Sequence, residues 1–237
     1  MERTELRRVI GGLSHLADEL RYLLGRCEEV FAGVRGFRIP EPDPLWDGLG
    51  NAWERRADKA IPVSWSVREH LADRWVRFHS LPDSKRCADT EEEKEILLER
   101  HHQVLAALRT SSADEVVVVL IRWDGQGRFR ASREFRGISR SWSFWRTFVD
   151  ETTADGQDEA IDASAFVCRL PPTRTALDPW LLRAADDADC ILITDDAVDW
   201  IYAPYDGGAD VIASTAEARD VLSARYAAWL PPREDGL

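Results

Sequence analysis

Several features that assign a protein to a class at once are missing from this chain of 237 residues. No apolar run is long enough to cross a bilayer, and charged residues crowd the first eight positions, so we expect neither a membrane span nor a signal peptide. The four cysteines lie far apart with no CxxC pair, which argues against a zinc site and a dense disulfide framework. We therefore expect a cytoplasmic protein with reduced, mostly buried cysteines.

The chain also lacks an excess of positive charge. Forty-three acidic residues against thirty-one basic ones give a net charge of -12. This balance argues against a general affinity for nucleic acid or anionic lipid and permits a basic partner. The negative charge is concentrated at the end of the chain, where residues 150–237 hold nineteen acidic residues and six arginines.

No motif of a common catalytic or metal site is present. His101 and His102 follow Glu99 in one predicted helix, but the H-E-x-x-H spacing is absent. His79 and Ser80 are adjacent, and neighbouring residues rarely present both side chains to one substrate. We expect no metal and no cofactor, and a binding protein is favoured over an enzyme.

The chain does contain clear helix and strand patterns. Thr90 is placed to cap a helix, Glu93 to reach back to the cap amide, and an apolar stripe continues to Leu108. Residues 116–121 are five β-branched residues and a leucine, a composition typical of a buried strand. Residues 78–86, before the helix, are predicted as a loop.

The second half predicts further short elements. One strand ends before Pro171, and a helix capped by Asp178, with Pro179 in its first turn, follows. A closing helix begins after Thr215. The other predicted strands form an antiparallel meander: residues 190–193, 198–202 and 210–213. This segregation predicts an α+β fold with a mostly antiparallel sheet packed by helices.

The N-terminal segment predicts a separate element. From Leu6 to Phe31 apolar residues alternate at spacings of four and three, which predicts a long amphipathic helix within residues 1–39. This helix docks on the domain or, as the alternative, forms a homodimer. Three prolines then fix an extended linker: Pro40, Pro42 and Pro44. We thus expect an N-terminal helix over residues 1–39 and a single α+β domain over residues 45–237.

Two stretches rich in aromatic residues allow more than one interpretation. Four tryptophans precede residue 76: Trp46, Trp53, Trp65 and Trp75. They predict core positions with bonded N–H groups or, less favoured, the wall of a ligand groove. Between Arg122 and Arg146, seven arginines alternate with aromatic residues, around a hairpin predicted from residues 116–123 and 128–135. That composition suits nucleic-acid binding, but internal pairing with the acidic C-terminal half is favoured.

Two candidate sites follow from charge. Acidic loops with aromatic residues suit a basic protein partner, and the candidate residues are Asp195, Asp196, Asp199, Trp200, Tyr205, Asp206 and Asp210. Solvated turns, a divalent cation or a carboxylate pair are the alternatives. A second candidate, for anions, is the turn Ser84, Lys85 and Arg86 before the capped helix. Its two cations could instead pair with Glu91, Glu92 or Glu95 on the surface.

Residues 78–86 spell FHSLPDSKR, and an acidic helix containing Arg100, His101 and His102 follows. This stretch resembles the signature of an uncharacterised bacterial family whose members carry an FHSLPxSKRYA segment, with Cys87 in place of the tyrosine. The ending, from YAPYDGGADV at residues 202–211 to the last residues, is also similar to such proteins. The resemblance covers about residues 75–108 and 190–237.

Proteins of this kind resemble small cytoplasmic antitoxins, or immunity proteins, encoded near secreted toxins. The resemblance implies this setting and supplies no catalytic residues. Our leading hypothesis is therefore a non-enzymatic immunity protein whose acidic C-terminal face covers a basic toxin. The alternative is an enzyme or sensor that binds a small phosphorylated or nucleotide-like ligand through Lys85 and Arg86. A nucleic-acid module through the arginine hairpin is the third hypothesis.

Overall fold

A computed structural model describes residues 41–57, 59–109, 114–123, 142–150 and 161–232 of the chain. The chain divides into two units between Glu41 and Pro42. All the described helices and strands belong to the second unit. The predicted N-terminal helix and the predicted strand at residues 128–135 lie outside the described residues.

Seven described strands form one sheet, and all their pairings are antiparallel. The strands are β1 (Trp75–His79), β2 (Val116–Trp123), β3 (Ser143–Asp150), β4 (Ile161–Leu170), β5 (Cys190–Thr194), β6 (Ile201–Tyr205) and β7 (Gly208–Ile212). Their order in the sheet is β1-β7-β6-β5-β2-β4-β3, so β1 and β3 form its edges and β5 to β7 form the predicted meander. The predicted α+β fold with an antiparallel sheet is confirmed.

Helices cover both faces of the sheet. They are α1 (Asp47–Arg56), α2 (Ser64–His70), α3 (Glu91–Leu108), α4 (Arg174–Ala185) and α5 (Ala216–Arg225). Apolar residues of α3, α4 and α5 share one core cluster with one face of the sheet, and those of α1 and α2 share a second cluster with the other face. No helix in the described part of the chain is both long and apolar enough to cross a membrane.

Strand β2 shows why the sheet needs cover on both sides. Val116, Val118 and Leu120 point into the cluster beneath α3 and α4. Val117, Val119 and Ile121, on the alternate positions, point into the cluster beneath α1 and α2. All six are at most 2% exposed. A strand with period two and no polar face is buried on both sides, as its composition predicts.

Helix α3 begins almost as predicted. The Thr90 hydroxyl oxygen accepts a hydrogen bond from the Glu93 amide at 3.2 Å. The Glu93 carboxylate reaches back one residue further than expected and accepts from the amide of Asp89 at 2.7 Å. These bonds satisfy the Glu93 amide in the first turn of the helix and the Asp89 amide just before the cap.

Two predicted boundaries are wrong. Phe78 and His79 belong to β1 rather than to a loop, because Phe78 is buried in the core and both residues pair with β7. Helix α4 begins at Arg174, so Pro179 lies inside it instead of in its first turn. The missing N–H of Pro179 removes one helical hydrogen bond, and burial of Trp180 and its neighbours favours the longer helix.

Candidate functional site

The predicted acidic cluster is split by the sheet. Asp195, Asp196 and Asp199 lie in the turn between β5 and β6, whereas Asp206 lies in the turn between β6 and β7. These two turns are at opposite ends of β6, roughly 15 Å apart at about 3.3 Å per residue. The seven predicted partner residues therefore do not form one continuous patch.

Arginines of the same chain neutralise most of these aspartates. Asp196 pairs with Arg169 at 2.7 Å, Asp199 pairs with Arg56 at 2.5 Å, and Asp206 pairs with Arg86. Asp195 instead accepts a hydrogen bond from the Asp199 amide at 2.9 Å. Burial, opposed by that hydrogen bond, raises the pKa of Asp195.

Asp210 is the centre of a buried polar contact between β1 and β7 that also includes Tyr205 at the end of β6. We call this contact the β1–β7 junction (Trp75, Arg77, Tyr205 and Asp210). Asp210 is 2% exposed. Its two carboxylate oxygens accept from the Arg77 guanidinium at 2.8 and 3.0 Å, and one also accepts from the Trp75 indole N–H at 2.9 Å. Burial lowers the pKa of Arg77, but the hydrogen bonds and charge of Asp210 outweigh it, so the net change is a rise.

The junction leaves no aspartate for a partner. The Arg77 guanidinium also lies over the Tyr205 ring, 5.0 Å from its centre, and burial raises the pKa of Tyr205 to about 12. Trp200, another predicted partner residue, is 2% exposed. Trp200 and Asp210 thus stabilise the fold and cannot present their side chains to another protein.

The predicted anion site is also neutralised. Lys85 pairs with Asp89 at 2.8 Å and with Glu93 at 2.6 Å, and these hydrogen bonds raise the pKa of Lys85. Arg86 pairs with Asp206, so the structure does join the turn to one of the predicted aspartates. Ser84 has a left-handed backbone with φ of 57°. Because carboxylates already hold both cations, the turn offers no free charge for a phosphate.

The two histidines of α3 are structural. His101 is 2% exposed, and its Nδ1 lies 2.5 Å from the hydroxyl oxygen of Tyr202. Burial lowers the pKa of His101 to about 3, so the ring is neutral at pH 7. His102 lies 2.5 Å from Asp178 of α4. Among the residues that the structure describes, no three His, Cys, Asp or Glu side chains gather as they would around a metal ion.

A groove between α1 and the edge strand β3 was not predicted as a site. We call it the tryptophan groove; its volume is about 460 Å³. It is lined by Pro42, Asp43, Trp46, Asp47, Gly50, Asn51, Glu54, Trp145 and Arg146. Pockets of about 300–1,000 Å³ hold small ligands or single side chains of a partner.

Asp43 fixes one wall of the groove to β3. One carboxylate oxygen caps the 3₁₀ helix Pro44–Trp46 by accepting from the Leu45 amide at 3.0 Å. The other accepts from the Ser143 hydroxyl at 2.9 Å. The Asp43 amide donates to the carbonyl of Phe144 at 3.3 Å. Asp43 is therefore committed to the wall itself.

Trp46, another residue of this wall, has an unsatisfied hydrogen-bond donor. It is 4% exposed, and its buried indole N–H has no acceptor among the described residues. In contrast, the N–H of the neighbouring core residue Trp53 donates to the Ala60 carbonyl at 2.7 Å. A buried donor without an acceptor costs about 1–3 kcal/mol, so this N–H is a local loss of stability in the wall.

The charged residues of the groove are only weakly compensated. Arg146 lies over the Trp145 ring, 4.3 Å from its centre, and among the described residues its closest carboxylate is Glu54 at 3.7 Å. Burial lowers the pKa of Arg146, and Glu54 opposes this change. Asp47, on the first turn of α1, has no cationic partner within the described ranges. The groove thus keeps a net negative charge.

Comparison with known protein families identifies the family of this chain. Residues 63–234 match the family defined by a domain of unknown function, DUF3885. The chain belongs to this family. No curated protein and no solved structure matches it.

The DUF3885 match covers the β1–β7 junction and the tryptophan groove to different extents. The match includes the whole β1–β7 junction, whereas it includes only Trp145 and Arg146 of the groove. Residues 42–54, which form the other wall, precede the match. A function of the groove would therefore belong to chains that carry this preceding segment.

The groove was only partly foreseeable. The spread of tryptophans kept a ligand groove open as an interpretation, and Trp46 is the tryptophan that fits it. No sequence signal indicated that α1 would lie against β3, about ninety residues later. Gly50 is the one hint of a close approach, since a Cβ there would lie 3.2 Å from the Arg146 guanidinium.

Proposed function

We propose that this member of the DUF3885 family is a non-enzymatic binding protein with a basic protein partner, and that the tryptophan groove is its binding surface. The resemblance to antitoxins suggests the setting, in which the partner would be a basic toxin. The proposal keeps the class of partner that the charge of the chain predicts and moves the surface away from the C-terminal aspartates.

The observation that carries this proposal is the contrast in charge compensation. Asp196, which is exposed, and Asp199 and Asp206, which are partly buried, are each paired with an arginine of the same chain. A partner would have to displace that arginine before it could pair. Asp47 has no such competitor among the described residues, and Glu54 is held only at 3.7 Å. Long-range attraction from the net charge of -12 would speed the encounter with a basic protein.

The alternative hypothesis, a small phosphorylated ligand at Lys85 and Arg86, has weaker support. Each cation is already paired with a carboxylate. Of the arginines that predicted nucleic-acid binding, Arg122 pairs with the buried Asp189 at 2.6 Å, and Arg146 lies in the groove. The residues 128–140 that carry the other five arginines lie outside the described part, so that hypothesis stays a prediction.

The test needs a defined partner, for which we choose the purified product of a basic reading frame next to this gene. Calorimetry with the full chain at physiological salt should show binding. A double variant with Asp47→Asn and Glu54→Gln should bind about tenfold more weakly, as expected for two partly screened charges. Alanine at Asp196, Asp199 and Asp206 together should change the affinity little.

Two results would contradict the proposal. If the triple alanine variant lost binding while the double groove variant kept it, the C-terminal turns would be the binding surface. If the purified chain did not bind the basic product, the proposed partner class would be wrong.

A further inference from the structure

We infer that the chain forms a homodimer through the outer edge of β3, where the β3 strands of two copies pair antiparallel about a twofold axis at Phe148. This pairing joins the two sheets into one. The inference goes beyond the proposed function and does not depend on it. It is carried by the open edge of β3, the direction of its backbone groups and the order of its residues.

Strand β3 has one neighbouring strand in the described part of the chain. It pairs with β4 from Ser143 to Asp150 and forms the edge of the sheet. Thr147 and Val149 are exposed, Val149 to 47%. An open edge is a template for another strand, and proteins commonly protect such edges with charged residues or prolines. Residues 147–149 include neither, so this part of the edge is open to pairing.

A β-bulge decides which backbone groups of β3 face outward. The Phe144 carbonyl accepts from the amide of Asp43, which lies outside the sheet, so the backbone of Phe144 faces away from β4. Backbone groups alternate between the two sides of an antiparallel strand, and the bulge between Phe144 and Arg146 adds one residue to this alternation. The outward groups beyond the bulge are therefore those of Thr147 and Val149. No described backbone group outside the sheet bonds to them.

These two residues select one register for self-pairing. With the axis at Phe148, Thr147 of each copy lies opposite Val149 of the other, and each such pair exchanges two backbone hydrogen bonds. Phe148 lies opposite its own copy. Arg146 lies opposite Asp150, so residues of opposite charge occupy opposing positions. An axis at Thr147 would place Val149 opposite the bulge and lose this match of charges.

The first experiment measures self-association of the full chain by sedimentation velocity over a range of concentrations. We expect a reversible dimer. Val149→Pro removes an N–H that faces away from β4, so it spares the β3–β4 pairing and should weaken the dimer at least about tenfold through the loss of two hydrogen bonds. The matched control Val149→Thr keeps this N–H and a β-branched side chain, and should change the affinity less than about threefold. Thermal unfolding confirms that both variants are folded.

The second experiment tests the register by disulfide cross-linking. Its parent is the Cys87→Ser variant, because Cys87 is an exposed free thiol. Phe148→Cys places two thiols opposite each other in a non-hydrogen-bonded pair, where the Cα atoms are about 4.5 Å apart and a disulfide can form. Thr147→Cys lies opposite Val149 instead of its own copy. Under mild oxidation, Phe148→Cys should give at least about fivefold more cross-linked dimer than Thr147→Cys or the parent.

Three results would overturn the inference. They are a monomer at every concentration up to about 1 mM, a dimer that Val149→Pro leaves intact, and equal cross-linking of the two cysteine variants. A dimer that survives Val149→Pro uses another surface, such as the helix predicted within residues 1–39. The variant with Asp47→Asn and Glu54→Gln keeps the edge of β3, so it should dimerise like the natural chain whether or not it binds a basic protein. Failure of one proposal is therefore distinguishable from failure of the other.

Discussion

The β1–β7 junction and the tryptophan groove use similar residues in opposite ways. Each combines arginine, tryptophan and carboxylate side chains. In the junction, Asp210 receives hydrogen bonds from Arg77 and Trp75, and its charge is fully compensated. In the groove, the Trp46 N–H has no acceptor and Arg146 has no carboxylate closer than 3.7 Å, among the described residues.

This difference separates stability from binding. A buried charge without a partner is expensive, so a fully compensated network is what a fold requires. A surface that binds a partner must instead leave some groups unsatisfied until the partner arrives, because a satisfied group has nothing to gain. By this criterion the junction is structural and the groove is the better candidate for function. Substitutions in the two regions test the comparison, from the largest expected effect to the smallest.

Removal of the central carboxylate should break the junction. Asp210→Ala leaves the Arg77 guanidinium, 14% exposed, without its acceptor, and should lower the free energy of unfolding by about 3–5 kcal/mol. Urea unfolding measures this change. The matched control is Asp206→Ala, which removes a pair whose arginine is 71% exposed and should cost only about 0.5 kcal/mol. Similar losses in the two variants would contradict the structural role of Asp210.

A methyl group at Gly208 should separate β1 from β7. A Cβ at this position would lie 2.2 Å from the backbone carbonyl oxygen of Phe78. Neither strand can yield without losing its pairing, so Gly208→Ala should cost about 3 kcal/mol in the same unfolding experiment. A loss below about 1 kcal/mol would show that the junction is more adaptable than its contacts indicate.

The junction also shows which parts of the fold were predictable. Local patterns were sufficient for α3, with its Thr90 cap, and for β2, whose six apolar residues need two buried faces. Strand β1 was missed because the alternation of Val76 and Phe78 is short and becomes meaningful only when β7 pairs with it. This pairing joins residues about 130 positions apart, so the local sequence around β1 does not predict it.

The site was less predictable than the fold for the same reason. The sequence shows that aspartates are frequent in these turns, but it does not show which cations pair with them. Their partners Arg56, Arg86 and Arg169 come from distant segments. The turns that hold Asp199 and Asp206 are close in sequence, but β6 runs between them and places them at opposite ends of the strand. Charge compensation is a tertiary property, so a count of charges cannot distinguish a paired aspartate from a free one.

A pH experiment tests the buried contact between His101 of α3 and Tyr202 of β6. His101 has a pKa of about 3 in the folded chain against an ordinary value of 6.5. The unfolded chain therefore binds a proton that the folded chain does not as pH falls below 6.5, and stability decreases toward acid. Between pH 7 and pH 5 this single group should cost about 2 kcal/mol.

The variant His101→Phe isolates that contribution. It removes the titrating group while keeping an aromatic ring against Tyr202, so its stability should fall by about 2 kcal/mol less than that of the natural chain over the same interval. Urea unfolding at the two pH values provides both numbers. An equal decrease in the two proteins would mean that His101 is protonated in the folded state, contrary to its burial.

The smallest effects should come from α1, where two glycines form a natural pair: Gly50 lines the tryptophan groove and Gly48 does not. A Cβ at Gly48 would meet nothing within 4 Å, whereas a Cβ at Gly50 would lie 3.2 Å from the end of the Arg146 side chain. Alanine favours a helix over glycine, so Gly48→Ala should stabilise the chain by about 0.5 kcal/mol. Gly50→Ala should gain less, because Arg146 must move aside.

The difference between these two variants measures how firmly Arg146 is held. A flexible side chain over Trp145 can shift by a few tenths of an ångström at little cost, so the two free energies of unfolding should differ by less than about 1 kcal/mol. If Gly50→Ala were as damaging as Gly208→Ala, the groove would be as rigid and as fully packed as the junction. The contrast from which we assign binding to one region and stability to the other would then disappear.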